Sequence, residues 1–290
     1  MKAMQYEAPE TIDQAVTLLA EATGEGRMLA GGTDLLVQMG TGRISPGVVI
    51  DIKRIAELRK MTSVDGGFHI GAAVAGAEAH ENAAFVAAWP GLMEGWDLIG
   101  STQIQGRATL GGNLCNASPA ADSVPAMIAA SATCTVVGPK GTREIPVEAV
   151  CTGPGKTSLA PGEFISFINL PARVPRSADA YLRFIPRTEM DIAVVGVGVN
   201  LTVDEEGTCT AARVSLGAVA PTALLVNDAA DAIIGTKLDE NALDKLAAAC
   251  SAACKPINDK RGTVAYRVKV AGVLGRRAAL IALERAKARG

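Results

Sequence analysis

The chain has 290 residues, 49% hydrophobic and 20% charged, with 28 basic and 30 acidic side chains for a net charge of −2. That length accommodates two domains, the apolar share supplies a packed core, and the balanced charge with only 3% aromatics argues against nucleic acid as a main partner. The opening MKAMQYEAPETIDQA holds one lysine and no apolar run, and no later stretch approaches the ~20 apolar residues that span a bilayer. A cytoplasmic protein with no secretory leader and no transmembrane segment is expected. Cys115, Cys134, Cys151, Cys209, Cys250 and Cys254 form no C-x-x-C pair, and the two histidines are His69 and His80. Free, mostly buried thiols and no metal site are therefore expected.

In chain order, Thr11-Ile12-Asp13-Gln14 reads as a helix start, ahead of the apolar spacing Ala15, Leu18, Leu19, Ala22. Met28–Ala30 predicts a strand that runs into Gly31-Gly32, and Val48–Ile52 predicts a second strand after Pro46-Gly47. Phe68–Val74 reads as a strand, and Ala77–Ala88 and Gly91–Ile99 as helical. Gly106–Asn113 is glycine-rich and aperiodic, and Ser118-Pro119 has the look of a helix start. Thr133–Val137, Glu144–Val147 and Glu163–Leu170 follow as strands. The segment from Pro171 to Ser177 has linker composition. Beyond it, Tyr181–Ile185, Asp191–Val203 and Cys209–Val219 predict strands, the last two joined across Asp204–Gly207 as a hairpin. Thr222–Ile234, Glu240–Cys254 and Thr263–Ala288 predict three closing helices, the last with cations at its C-terminal end.

Two segments have the chemistry of a phosphate cradle. Gly31-Gly32 leaves a strand with no Cβ to obstruct a ligand, so the N–H groups of Gly32, Thr33 and Asp34 can converge on one anion, with the Thr33 hydroxyl beside them. Gly111-Gly112-Asn113, flanked by Thr109, repeats the logic. Taken singly, each Gly-Gly is a common turn. Neither is a Walker loop, and no G-x-G-x-x-G opens a helix, so a Rossmann-type dinucleotide site is disfavoured.

AGGTDLL at 30–36, VIDIKRI at 49–55, TLGGNLCNASPAADSVPAM at 109–127, Tyr181 with Asp191-Ile192-Ala193, SLGAVAPTA at 215–223 and DKRGTVAYR at 259–267 occur in order over essentially the whole chain. Together they resemble the medium, FAD-binding subunit of the xanthine dehydrogenase and carbon monoxide dehydrogenase family. The resemblance implies an α+β fold: a two-subdomain FAD-binding domain of the PCMH/vanillyl-alcohol-oxidase-like kind, then an antiparallel sheet packed with helices. The expected divisions are 1–57 and 58–172 for the two FAD-binding subdomains and 178–290 for the C-terminal domain.

Carried over residue by residue, the resemblance implies that Leu29, Ala30, Gly31, Gly32, Thr33, Asp34 and Leu35, with Thr109, Gly111, Gly112 and Asn113, wrap the FAD pyrophosphate. Asp122 binds FAD, Ile99 and Ile165 flank the isoalloxazine, and Tyr181 and Arg183 lie near the flavin. Without the resemblance, Asp122 reads as first-turn helix chemistry, Ile99 and Ile165 as core, Tyr181 as a strand aromatic and Arg183 as a surface charge. Two departures stand out: Gln105-Gly106 replaces the usual Arg-Asn, and Arg183 replaces the usual Lys. No cysteine-rich insertion is present, so no iron–sulfur cluster is expected on this chain.

The resemblance further implies an oxidoreductase with no catalytic acid or base of its own. A large molybdopterin-binding subunit and a small subunit with two 2Fe-2S clusters are the expected partners, in a dimer of heterotrimers. FAD would take electrons from the clusters and pass them to NAD or a quinone. The alternatives are a stand-alone FAD-dependent reductase of the same fold, of the UDP-N-acetylenolpyruvylglucosamine reductase type, and a non-catalytic relative that has lost the flavin.

Overall fold

Residues 4–289 are described in a computed structural model, and they build three larger sheets in succession and one two-stranded ribbon. The first is a small parallel sheet of β1 (Gln5–Glu7), β2 (Gly26–Leu29) and β3 (Val48–Asp51), with β3 in the centre. Its connections are helical: α1 (Ile12–Ala20) joins β1 to β2, and α2 (Leu35–Gly40) joins β2 to β3. Thr11 caps α1, its hydroxyl accepting the Gln14 N–H at 3.2 Å. All four residues of β3 are buried, as a central strand covered on both faces requires.

The second sheet is antiparallel, in the order β4 (Met61–Val64), β5 (Gly67–Gly71), β10 (Phe164–Leu170), β6 (Thr133–Gly138), β7 (Gly141–Pro146). Between β5 and β6 run α3 (Gly76–His80), α4 (Ala83–Ala88), α5 (Pro90–Asp97), α6 (Thr102–Gln105), α7 (Leu110–Cys115) and α8 (Ser123–Ala129). A two-stranded ribbon, β8 (Cys151–Gly153) with β9 (Lys156–Thr157), precedes β10. Phe85, Trp89, Leu92, Trp96, Leu110, Leu114 and Met127 form the centre of this unit's core, each at most 2% exposed. Burial of each such side chain contributes about 1.5–3 kcal/mol of transfer free energy.

The third sheet is a meander of β11 (Ser177–Phe184), β12 (Val195–Val203), β13 (Cys209–Gly217) and β14 (Leu224–Leu225). Helices α9 (Asn227–Asp231), α10 (Glu240–Ala253) and α11 (Val264–Lys287) complete it. The alternation in β12 explains the packing. Val195, Val197, Val199, Leu201 and Val203 join the core shared with α10 and α11, whereas Gly196 and Gly198 fall on the opposite face. A Cβ on Gly198 would lie 2.7 Å from the Pro125 carbonyl oxygen, so the glycine lets α8 of the preceding unit lie against the sheet. The sheet is thus packed on both faces, and the α+β architecture is as expected.

Arginines stitch the seam between the second and third units. Arg173 donates to Ala88 O at 2.8 Å and Asn200 Oδ1 at 2.7 Å. Arg213 reaches Ile128 O at 3.0 Å and Glu148 Oε1 at 2.8 Å. From the end of α11, Arg285 pairs with Glu94 and Arg289 donates to Ala88 O at 3.1 Å. Within the third unit, buried Arg267 donates to Val194 O at 2.6 Å, Ala218 O at 3.1 Å and Asp259 Oδ1 at 2.7 Å. That ties the ends of the DKRGTVAYR motif to the sheet.

Several local expectations are corrected. Ser118-Pro119 opens a turn rather than a helix: the Ser118 hydroxyl accepts the Ala120 N–H at 3.3 Å, and α8 begins at Ser123. Thr222–Ile234 is helical only over Asn227–Asp231, because Leu224–Leu225 pairs with β13. Gly106–Asn113, aperiodic in sequence, is helical from Leu110, where α7 starts. The strand expected from Asp191 starts at Val195, after a bend in which Arg187 bonds Asp191. Among the described residues all six cysteines are free, with Cys134, Cys209 and Cys250 buried and Cys115 exposed. No described helix is long and apolar enough to cross a membrane.

Candidate cofactor site

The first glycine segment leaves β2 at Leu29, which is 8% exposed, and turns at Gly32, whose φ of +79° favours glycine. The chain then enters α2 at Leu35, with the Leu36 N–H on Gly32 O at 3.0 Å and the Gln38 N–H on Asp34 O at 2.9 Å. Among the described residues, the N–H groups of Gly32, Thr33 and Asp34 donate to no main-chain carbonyl. Three successive unpaired donors at a partly open turn are the pattern an anion-binding nest requires.

The segment is held from behind. Lys53 Nζ donates to Ala30 O at 2.9 Å and to Asp51 Oδ1 at 2.7 Å, and Asp51 Oδ2 accepts the Tyr6 hydroxyl at 2.7 Å. Burial raises the Asp51 carboxyl. The Lys53 ammonium, the Lys53 N–H and the Tyr6 hydroxyl outweigh it and hold the group below its ordinary range. Lys53, Asp51 and Tyr6 were not among the residues expected to act at the site. VIDIKRI was recognised as a motif, but nothing in its residue types reveals that Lys53 folds back onto Ala30.

The second segment is the start of a helix. Thr109 caps α7, its Oγ1 accepting the Gly112 N–H at 3.0 Å, while the Asn113 N–H returns to Thr109 O at 3.0 Å. The Leu110 and Gly111 N–H groups have no such acceptor among the described residues. Gly111 is packed close, since an added Cβ would lie 3.3 Å from Ala72 Cβ. Asn113 Oδ1 accepts the Ser123 hydroxyl at 2.7 Å, and Gln38 Nε2 donates to Asn116 Oδ1 at 2.9 Å, linking α2 to the end of α7.

The first segment packs against the residues just before the second. A Cβ on Gly31 would overlap the Arg107 carbonyl oxygen and lie 3.2 Å from Ala108 Cα, so only glycine allows this approach. The Ala108 carbonyl is fixed in turn by the Gly76 N–H at 3.0 Å and Trp96 Nε1 at 3.3 Å. Gln105 donates its side-chain amide to Asp97 O, which tethers the approach to the second segment.

Asp122 lies at the junction of the second and third units. Its Oδ1 accepts the Tyr181 hydroxyl at 2.8 Å and its Oδ2 accepts Arg183 Nη1 at 2.8 Å. Burial pushes its carboxyl up to about 6, although Arg183 and Tyr181 act in the opposite direction. Burial and then the neighbouring Asp122 charge push the Tyr181 hydroxyl well up. Arg183 Nη1 also reaches Leu98 O at 3.1 Å, and its Nε is buried with no acceptor. Asp122 therefore makes no helix cap, and Arg183 is no surface charge. Ile99 and Ile165, at 9% and 4% exposed, belong with Tyr181 to the core of the second unit. They are not adjacent in sequence to either glycine segment, and their packing is that of core residues.

Residues 2–173 match the family described as the FAD binding domain in molybdopterin dehydrogenase, and residues 180–282 match the CO dehydrogenase flavoprotein C-terminal domain. The chain belongs to the family of FAD-binding medium subunits of molybdopterin dehydrogenases. It is 34% identical over 284 residues to the carbon monoxide dehydrogenase medium chain of Afipia carboxidovorans, covering 98% of this chain and 96% of that one. It is 29% identical to the putative xanthine dehydrogenase FAD-binding subunit of Escherichia coli K12, covering 91% of this chain and 90% of the other. In structure it resembles a chain of the Cu,Mo-CO dehydrogenase in its cyanide-inactivated form, with a TM-score of 0.92, 34% identity and coverage of 99% and 98%.

The residues present fit the family's cofactor. Unpaired N–H groups stand in both glycine segments, and the first packs against Arg107 and Ala108, which lead into the second, where a side chain at position 31 has no room. An elongated anion such as a pyrophosphate can draw donors from two short segments, and both segments hold N–H groups free to donate.

Proposed function

We propose that this chain binds FAD between its two glycine segments and serves as the flavin-carrying electron-transfer subunit of a molybdenum hydroxylase. The meeting of Gly31 with Arg107 carries the reading, because it brings two ordinary Gly-Gly turns into one cradle. In this account the N–H groups of Gly32, Thr33 and Asp34, together with those of Leu110 and Gly111, hold the pyrophosphate. The Thr33 hydroxyl adds a donor, and the Asp34 carboxylate is suited to accept from hydroxyl groups. Leu29, Ala30 and Leu35 shape the first turn, while Thr109, Gly112 and Asn113 shape the second.

FAD supplies the ability to take electrons singly and release them in pairs. This chain's residues bind it, orient it and exclude water from it. Ile99 and Ile165 contribute apolar wall, and Asp122, Tyr181 and Arg183 lock the C-terminal unit over the site. In this account the oxidised substrate belongs to a large molybdopterin subunit, with electrons arriving through 2Fe-2S clusters of a small subunit and leaving to NAD or a quinone. A dimer of such heterotrimers is the proposed assembly, with residues 1–57, 58–172 and 178–290 as the divisions of this chain.

The relatives' names support the subunit role and differ in substrate, carbon monoxide in one and xanthine in another. That spread is expected if the substrate pocket lies on a different chain. The test is turnover: the full chain purified alone, supplied with FAD, should oxidise neither carbon monoxide nor a purine with any acceptor dye, whereas the assembly should oxidise its own substrate. Substrate-dependent turnover by the chain alone would instead support a stand-alone flavoenzyme.

A further inference from the structure

We propose that Lys53, held in place by Asp51 and Tyr6, is the positioning residue of the first glycine segment. The inference rests on the flavin reading above and adds three residues to it. Lys53 leaves the short turn after β3, where its N–H bonds Asp51 Oδ1 at 3.0 Å, and its ammonium returns to the same oxygen at 2.7 Å. Among the described residues, the one remaining acceptor of that ammonium is Ala30 O, at 2.9 Å. Asp51 is itself 7% exposed and fixed from the other side by the Tyr6 hydroxyl at 2.7 Å. The chain of contacts thus runs from the edge strand β1, through the end of the central strand β3, to the last peptide before the glycines.

The Ala30–Gly31 peptide is planar and trans, so its N–H points opposite to its carbonyl. Anchoring the carbonyl to Lys53 fixes the plane and hence the direction in which Gly31 leaves it. Gly31 and Gly32 have no side chains to set that direction themselves, and glycine loses more conformational freedom on ordering than any other residue. Without the anchor, the turn that presents the Gly32, Thr33 and Asp34 N–H groups would sample alternatives, and ligand binding would have to select among them. The ammonium also places a positive charge, shared with Asp51, behind a segment proposed to face a pyrophosphate. Lys53 touches no ligand in this account and acts through Ala30.

The test uses the full chain in its native assembly, freed of flavin and titrated with FAD. Lys53→Met should weaken FAD binding about tenfold, the scale of one lost charge-assisted hydrogen bond, and should speed amide hydrogen exchange over residues 29–35. Lys53→Arg should recover most of both, since an arginine can still reach the carbonyl. Lys140→Met, on the exposed turn between β6 and β7, should change neither. If Lys53→Met fails to assemble, Tyr6→Phe decides the matter: Tyr6 is 56% exposed, and loss of its hydroxyl should weaken FAD about threefold. Wild-type FAD affinity in Lys53→Met, or in Tyr6→Phe where that variant decides, overturns the proposal and leaves the flavin reading standing. If the wild-type assembly takes up no FAD, the flavin reading fails instead. In that case unchanged exchange over residues 29–35 in Lys53→Met overturns the positioning role, and faster exchange supports it.

Discussion

Arg183 reaches across from the C-terminal unit to Asp122, Nη1 to Oδ2 at 2.8 Å, with side chains 4% and 8% exposed. The pair is buried on both sides, and the Tyr181 hydroxyl occupies the second carboxylate oxygen. A buried ion pair adds little net stability over an apolar replacement, but losing one partner strands the other. Asp122→Ala should therefore destabilise the fold by about 3–5 kcal/mol, read as a lower midpoint in urea unfolding. Asp122→Asn, which keeps an acceptor, should cost less. Equal stability of Asp122→Ala and the wild type would remove this contact from the account of the seam.

The same carboxyl gives a pH signature. In the folded chain Asp122 titrates at about 6, against the ordinary 3.8 of an unfolded aspartate. Between those values the folded state binds more protons. The stability contributed by this group is therefore full below about pH 4 and is lost as pH rises through about 6. Wild-type stability, measured relative to Asp122→Asn to cancel the other carboxylates, should fall from pH 4 to pH 6 by on the order of 2 kcal/mol. A rise over that window would mean that Arg183 and Tyr181 outweigh burial.

Gly31→Ala should separate the two glycine segments. Its Cβ has no room against the Arg107 carbonyl, and a forced shift of packed backbone costs about 1–3 kcal/mol. The variant should remain folded but lose FAD, seen as loss of flavin absorbance after gel filtration. Gly111→Ala meets only Ala72 at 3.3 Å and should retain more flavin. A Gly31→Ala chain with full flavin content would exclude this contact as the point where the cradle closes.

Thr109→Val tests the second segment without adding bulk. It removes the hydroxyl that accepts the Gly112 N–H, an N-cap worth about 1 kcal/mol. Thermal unfolding should register that loss, and FAD affinity should fall because the Leu110 and Gly111 N–H groups belong to the same turn. Loss of stability with FAD affinity unchanged would confine Thr109 to a structural role.

Much of this was legible in the sequence. Val195-Gly196-Val197-Gly198-Val199 announces a strand with one apolar face and one bare face, and Thr11 stands where a helix cap belongs. The glycine segments were visible as motifs because glycine marks places where a side chain has no room. What stayed hidden depends on long-range placement. Asp122 looked like a helix-start carboxylate, since nothing near it in sequence shows that Tyr181 and Arg183 arrive some sixty residues later. Ser118-Pro119 carries a strong helix-start pattern, yet the chain turns there and delays α8 so that Asp122 faces the seam. Lys53 was unreadable as a site residue for the same reason: its partner Ala30 is 23 positions away.

The most direct test of the central claim is the cofactor content of the native assembly, purified from its source through this chain. Flavin, molybdenum and iron would be quantified together against the amount of this chain. The account predicts one FAD for each copy, released intact on denaturation, with molybdenum and iron confined to co-purified partner chains. An assembly without FAD, or a chain that carries its flavin and completes substrate turnover with no partner present, would contradict it.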